Sequence, residues 1–238
     1  MGSMKVGIFD SGLGGLTVVS EIKKKYSKSS IVYLGDTARV PYGTRSREVI
    51  EEFAIQDAKF LQSKNVDLII IACNTVSAVA TDAVRKAVSV PVYEVITAAK
   101  TAATKATKNG KIGVIATRAT INSGAYGVQG LACPLLVPLI EEGELSGPII
   151  DAALDKYLSV VKTWDIDTLI LGCTHYPLVS DLIAQKLSGV TLINSGAELA
   201  KTLDISESED FVDEYYATDL TDRFKAMAGG VKIKLAHL

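Results

Sequence analysis

Leu68-Ile69-Ile70-Ile71-Ala72-Cys73-Asn74-Thr75 is an unbroken apolar, largely β-branched run that ends in a thiol, an amide and a hydroxyl. A short run without polar alternation marks a strand buried on both faces, as in a parallel sheet covered by helices. Leu169-Ile170-Leu171-Gly172-Cys173-Thr174-His175 repeats the pattern, and its cysteine lies 100 residues beyond the first. A weaker echo joins residues 6–11, Val-Gly-Ile-Phe-Asp-Ser, to residues 112–117, Ile-Gly-Val-Ile-Ala-Thr. A cysteine at the same strand end in both copies raises the echo above the similarity that any two apolar strands share. It points to two similar α/β halves of about 100 residues each.

The rest of the chain keeps that rhythm. Apolar runs at 31–34, 92–95 and 191–193 alternate with helical patterns at 16–25, 46–64 and 75–87. Strands separated by helices predict parallel sheets with right-handed crossovers. The boundary falls near 95–99. From about Asp210 the chain offers a strand at Tyr215-Tyr216 and a helix over 220–227 after the Thr218-Asp219 cap signal. It then has a stop at Gly229-Gly230 and a last strand over 231–235. We expect this tail to return to the first half. The first domain is then 4–96 plus 208–238, and the second is 97–207. Met1-Gly2-Ser3, ahead of a second Met, reads as a cloning remnant.

Composition excludes several functions. The 238 residues carry 25 Lys+Arg against 27 Asp+Glu, with 48% hydrophobic residues. That near-neutral balance supports neither nucleic-acid nor membrane-surface binding, and no apolar run approaches the roughly 20 residues that span a bilayer. Three cysteines and no signal-peptide pattern fit a reducing cytoplasm rather than a disulfide framework. With two histidines and no C-x-x-C pair, no metal site is expected.

Ligands of parallel α/β sheets sit at the carboxyl ends of the strands. The polar residues there are Asp10-Ser11, Asp36-Thr37, Cys73-Asn74-Thr75, Thr117 and Cys173-Thr174-His175. Asp10-Ser11-Gly12-Leu13-Gly14-Gly15 is a strand-to-helix turn without the spacing of a phosphate loop. It reads as a capped tight turn or as a carboxylate that serves a base or binds an ammonium. A lone buried cysteine is ordinarily core, and Cys133, followed by Pro, is read so. Two cysteines at matched strand ends, one with Asn-Thr and one with Thr-His, are not. Paired thiols suit removal of a proton from one face of a carbon and its return to the other. A Cys–His hydrolase needs no second cysteine.

These residues resemble motifs of the glutamate racemase family. They are Phe9-Asp10-Ser11-Gly12-Leu13-Gly14-Gly15, Gly35-Asp36-Thr37-Ala38-Arg39-Val40-Pro41-Tyr42-Gly43, Ala72-Cys73-Asn74-Thr75-Val76-Ser77-Ala78 and Gly172-Cys173-Thr174-His175-Tyr176-Pro177-Leu178. The stretch from Cys133-Pro134 to Glu141-Glu142-Gly143 adds a fifth. The resemblance implies two pseudosymmetric α/β domains, each a parallel-rich sheet flanked by helices, with the site in the cleft between them. It implies interconversion of L- and D-glutamate without a cofactor, D-glutamate for peptidoglycan, and a homodimer. It makes Cys73 and Cys173 the acid/base thiols, Asp10 and His175 their assistants, and Glu141, rather than Glu142, a further member of the site. Ser11, Asn74, Thr75 and Thr174 resemble ligands of the substrate's polar groups. Tyr42 and Gly43 resemble part of the side-chain carboxylate pocket, and Thr117 and Thr120 are further candidates. Cys73 is then the base for D-glutamate and Cys173 for L-glutamate. Arg39 is expected to pair with Asp36. Two features depart from the family: a shortened stretch between Glu142 and Asp167, and Asn194 where an acidic residue is usual before Ser195. A racemase for aspartate or another amino acid, or an amino-acid-binding protein without chemistry, are the alternatives.

Overall fold

The computed structural model describes residues 4–238, so Met1, Gly2 and Ser3 lie outside the described residues. The first half runs β1 (Lys5–Asp10), α1 (Gly15–Lys25), β2 (Ser30–Gly35), α2 (Arg47–Ser63), β3 (Leu68–Ile71), α3 (Asn74–Val79), α4 (Thr81–Ala87) and β4 (Val92–Glu94). The second half runs α5 (Val95–Ala106), β5 (Ile112–Ala116), α6 (Arg118–Asn122), β6 (Gln129–Ala132), α7 (Leu136–Glu141), α8 (Pro148–Val161), β7 (Thr168–Gly172), α9 (Ser180–Lys186), β8 (Thr191–Asn194) and α10 (Ser195–Thr202). The tail adds β9 (Glu214–Ala217), α11 (Asp222–Met227) and β10 (Ile233–Leu235).

The strands form two sheets, ordered β10-β9-β2-β1-β3-β4 and β6-β5-β7-β8, in which every pairing is parallel. The second-first-third-fourth order recurs in both. β1 and β5 lie inside, and β3 and β7, the strands that end at the two cysteines, are their neighbours. The tail strands extend the first sheet beyond β2. The apolar runs are wholly buried, since Ile8, Ile69, Ile70, Ile71, Leu169 and Ile170 expose 1% or less. Each sheet therefore has a core on both faces.

Four expectations are adjusted. The helix expected over 220–227 starts at Asp222, because the Thr221 hydroxyl accepts the Phe224 N–H while Thr218 donates to Asp36. The helix predicted over 75–87 is two helices broken at Ala80. The Thr81 hydroxyl donates to the Ser77 carbonyl, the partner that the Thr81 backbone N–H would take in a continuous helix. Val95 does not end β4 but starts α5, because the Glu94 side chain accepts the N–H groups of Ile96 and Thr97. The last strand starts at Ile233 rather than 231, after Gly229 and Gly230 have ended α11 with φ of 67° and 82°.

α5 and α10 form the seam between the halves. Val95, Ala98, Leu199 and Ala200 pack with first-sheet residues, while Ile96, Ala99 and Ala103 pack under the second sheet. No helix among the described residues is long and apolar enough to cross a membrane.

Candidate active site

The carboxyl ends of both sheets face one small cavity. Its wall includes Ser11, Tyr42, Gly43, Cys73, Asn74, Thr75, Thr117, Cys173, Thr174 and His175. Asp10, Thr120 and Glu141 stand directly behind that wall and are bonded to it. The wall also contains Arg118, Cys133, Pro134, Val137 and Pro138, which the sequence did not single out as site residues. Cys133 is fully buried in the core of the second half and also lines the cavity. Arg118, the residue after Thr117, adds to the wall a second basic side chain besides that of His175. Its position directly after the β5 strand end was the signal for it.

On the first side, β1 ends in Asp10. Its carboxylate accepts the Gly12 N–H at 3.0 Å and the Thr174 hydroxyl at 3.2 Å, so it ties the first turn to the second half. Burial pushes the Asp10 carboxyl up to about 6, against the lowering pull of His175 and these hydrogen bonds. Cys73 follows β3 at the start of α3, and its thiol lies 3.6 Å from the Ser11 hydroxyl. Burial, with the Asp10 charge adding to it, pushes this thiol up to about 12. It is therefore a neutral thiol at neutral pH.

On the other side, Cys173 follows β7 and its sulfur lies 3.6 Å from His175 Nδ1. His175 Nε2 meets Glu141 Oε1 at 2.6 Å. Burial alone lowers the imidazole, but the hydrogen bonds to Cys173 and Glu141 outweigh it and carry His175 up to about 10. Imidazolium is then the resting form, with one N–H on Glu141 and the other toward the sulfur. Glu141, not Glu142, makes this contact because it closes the last turn of α7.

The threonines cross the cleft. Thr75 Oγ1 lies 2.8 Å from Thr117 Oγ1, which lies 2.9 Å from Thr120 Oγ1. Thr117 also caps α6. Tyr42 forms part of the wall, but its hydroxyl is turned away from the cavity to the buried carboxylates of Asp36 and Asp57. Arg39 pairs with Asp36 at 2.5 Å and with Asp57 at 3.1 Å, the structural role expected of it. Two glycines let the halves close. A Cβ on Gly14 would stand 2.4 Å from Thr174 Oγ1 and 2.5 Å from His175 Nδ1, and one on Gly43 would stand 2.6 Å from Thr117 Cβ. Among the described residues no group of three or more His, Cys, Asp or Glu is placed to hold a metal ion.

A pair of α/β halves with a thiol at each matched strand end is an arrangement for proton transfer on a small ligand. Residues 14–203 match the family model for Asp/Glu/hydantoin racemases, and the chain belongs to that family. It is 48% identical over 209 residues to the glutamate racemase of Aquifex pyrophilus, covering 84% of this chain and 82% of that one. It is 44% identical over 240 residues to that of Aquifex aeolicus, covering 94% and 92%. The structure of glutamate racemase from Francisella tularensis in complex with D-glutamate superimposes with a TM-score of 0.92. That match has 38% identity and covers 99% of this chain and 98% of that one.

Proposed function

We propose that this chain interconverts L- and D-glutamate without a cofactor, with Cys73 and Cys173 as acid and base on opposite faces of Cα. The observation that carries the reading is that both thiols stand on the wall of one cavity, each just past the third strand of its own sheet. A thiolate takes the Cα proton, and the electron pair is held on the substrate as a carbanion. The opposite thiol then delivers its proton, which inverts the centre and exchanges the roles of the sulfurs. Donors around the carboxylates stabilise the developing charge. We assign abstraction from D-glutamate to Cys73 and from L-glutamate to Cys173.

Each sulfur has its own assistant in this reading. His175, oriented by Glu141, gives or takes a proton at Cys173. On the first side the negative charge of Asp10 opposes a Cys73 thiolate, so the ammonium of the bound amino acid supplies the compensating positive charge. Ser11, Asn74, Thr75 and Thr174 bind the polar groups at Cα. The Tyr42–Gly43 wall, Thr117 and Arg118 receive the side-chain carboxylate, with Thr120 fixing Thr117. We extend the reading to a cytoplasmic homodimer that supplies D-glutamate for peptidoglycan. Gel filtration of the purified protein checks the dimer.

Proton NMR with each glutamate enantiomer in D₂O tests the activity. Loss of the Cα proton signal with appearance of the other enantiomer, abolished in Cys73→Ser and in Cys173→Ser, is the expected result. Retention of the Cα proton with both enantiomers would defeat the glutamate assignment. The same series with aspartate then separates a different substrate from a protein that only binds.

A further inference from the structure

The Asn74 amide has acceptors for its nitrogen and, among the described residues, no donor for its oxygen. The residue is 2% exposed and forms part of the cavity wall. Its amide nitrogen donates to the Tyr126 hydroxyl at 2.8 Å and to Ser195 Oγ at 3.2 Å, so both N–H groups are used. Ser195 Oγ donates its only proton to the Leu171 carbonyl at 3.1 Å. Tyr126 can direct its own proton to Ser195 Oγ, 3.5 Å away. Among the described residues Asn74 Oδ1 is then left buried without a partner. Turning the amide over would let its oxygen accept from Tyr126, but would set that oxygen against Ser195 Oγ, whose proton is on Leu171, and would leave both N–H groups without their acceptors. The orientation that gives both N–H groups an acceptor is the one that leaves the oxygen free. Tyr126 and Ser195 are themselves 3% and 4% exposed and come from the second half of the chain, whereas Asn74 belongs to the first.

An unpartnered buried oxygen on a residue that lines the cavity needs a donor. A zwitterionic amino dicarboxylate has N–H donors only at its ammonium group. We propose that Tyr126 and Ser195 are positioning residues that fix the Asn74 amide with its oxygen free for the substrate's ammonium. The inference rests on the racemase reading above. It also gives the Asn194-Ser195 pair a division of labour. Asn194 caps α10 by accepting the N–H groups of Gly196 and Ala197, and Ser195 is left to reach Leu171 and Asn74.

The test compares two ligands that differ at the ammonium. Glutamate KM and kcat, and the inhibition constant of glutarate, which keeps both carboxylates and lacks the ammonium, are measured for the parent, Tyr126→Phe and Ser195→Ala. The expected result is a rise of about tenfold in glutamate KM, the scale of a hydrogen bond to a charged group, with a smaller change in kcat because the contact persists from ground state to transition state. Glutarate binds parent and variants alike. In an Asn74→Ala background, Tyr126→Phe then adds no further loss. Weakening of glutamate and glutarate together, an unchanged glutamate KM, or a full Tyr126→Phe effect without Asn74 overturns the inference. Tyr126→Phe removes one oxygen atom, so the two-ligand comparison stands even where Asn74→Ala does not fold. A parent that leaves glutamate untouched overturns the functional reading itself, and this inference with it. A parent that turns glutamate over while its variants lose both ligands overturns this inference alone.

Discussion

His175 concentrates the electrostatics of the second side of the cleft. It is buried, yet Glu141 and Cys173 hold its proton up to about 10, against about 6.5 in an unfolded chain. A folded state that binds the proton more tightly than the unfolded one is stabilised by it fully below pH 6.5. That contribution is lost as pH rises toward 10. The difference in unfolding free energy between pH 6 and pH 10, read by urea titration, is therefore expected to be larger in the parent than in His175→Gln. Equal differences would contradict the assignment of the proton to this residue. The sulfurs make a separate prediction. Cys73→Ser and Cys173→Ser are each expected to lower kcat by about 10²–10⁴-fold, the range for a positioned acid or base, with little change in the affinity for glutamate.

Helices α5 and α10 start at once after β4 and β8, and a side chain at the junction caps each one. Glu94 does so for α5 and Asn194 for α10, 100 residues apart like the cysteines. The cap is a more local matter than the site, so the effect of changing it belongs to stability. Asn194→Ala is expected to cost about 1 kcal/mol in unfolding free energy. Asn194→Asp is expected to match or exceed the parent at neutral pH, since a carboxylate at a helix N-terminus is favoured by up to about 1 kcal/mol. Urea unfolding of the two variants checks both. Asn194 thus serves as the cap, and Ser195, not Asn194, is the side chain bonded to Asn74.

The whole molecule works as two sheets whose carboxyl ends are held together across a cleft. Thr17 donates to the Thr174 carbonyl at 3.0 Å, Thr174 to Asp10, and Asn74 to Tyr126 and Ser195, so the seam and the site share atoms. Close approach at Gly14 makes this possible. Gly14→Ala is expected to push Thr174 and His175 away from the first half, with overpacking of about 1–3 kcal/mol. A fall in kcat that exceeds the loss of folded protein at assay temperature, measured by circular dichroism on the same sample, is the expected sign. Unchanged turnover would mean that the seam opens without cost to the site.

Much of this was legible in the residues. Isoleucine-rich runs declare buried parallel strands, and the polar residue after each run declares the side of the sheet where ligands sit, because both signals lie within a few residues of each other. β6 was not legible, for Gln129-Gly130-Leu131-Ala132 is short, polar at its start and only half buried at the sheet edge. The break at Ala80 was hidden because it turns on one threonine hydroxyl. The two cysteines, their strand ends and the pairing of two α/β halves follow from the chain alone, since periodicity and spacing are local properties. Tertiary structure alone decided that Tyr126 and Ser195 lock Asn74, that Arg118 joins the wall and that the Tyr42 hydroxyl faces Asp36 and Asp57. The contacts to Asn74 join residues 52 and 121 positions apart. Such neighbours are set by where parallel crossovers bring strand ends together, and no local pattern records that.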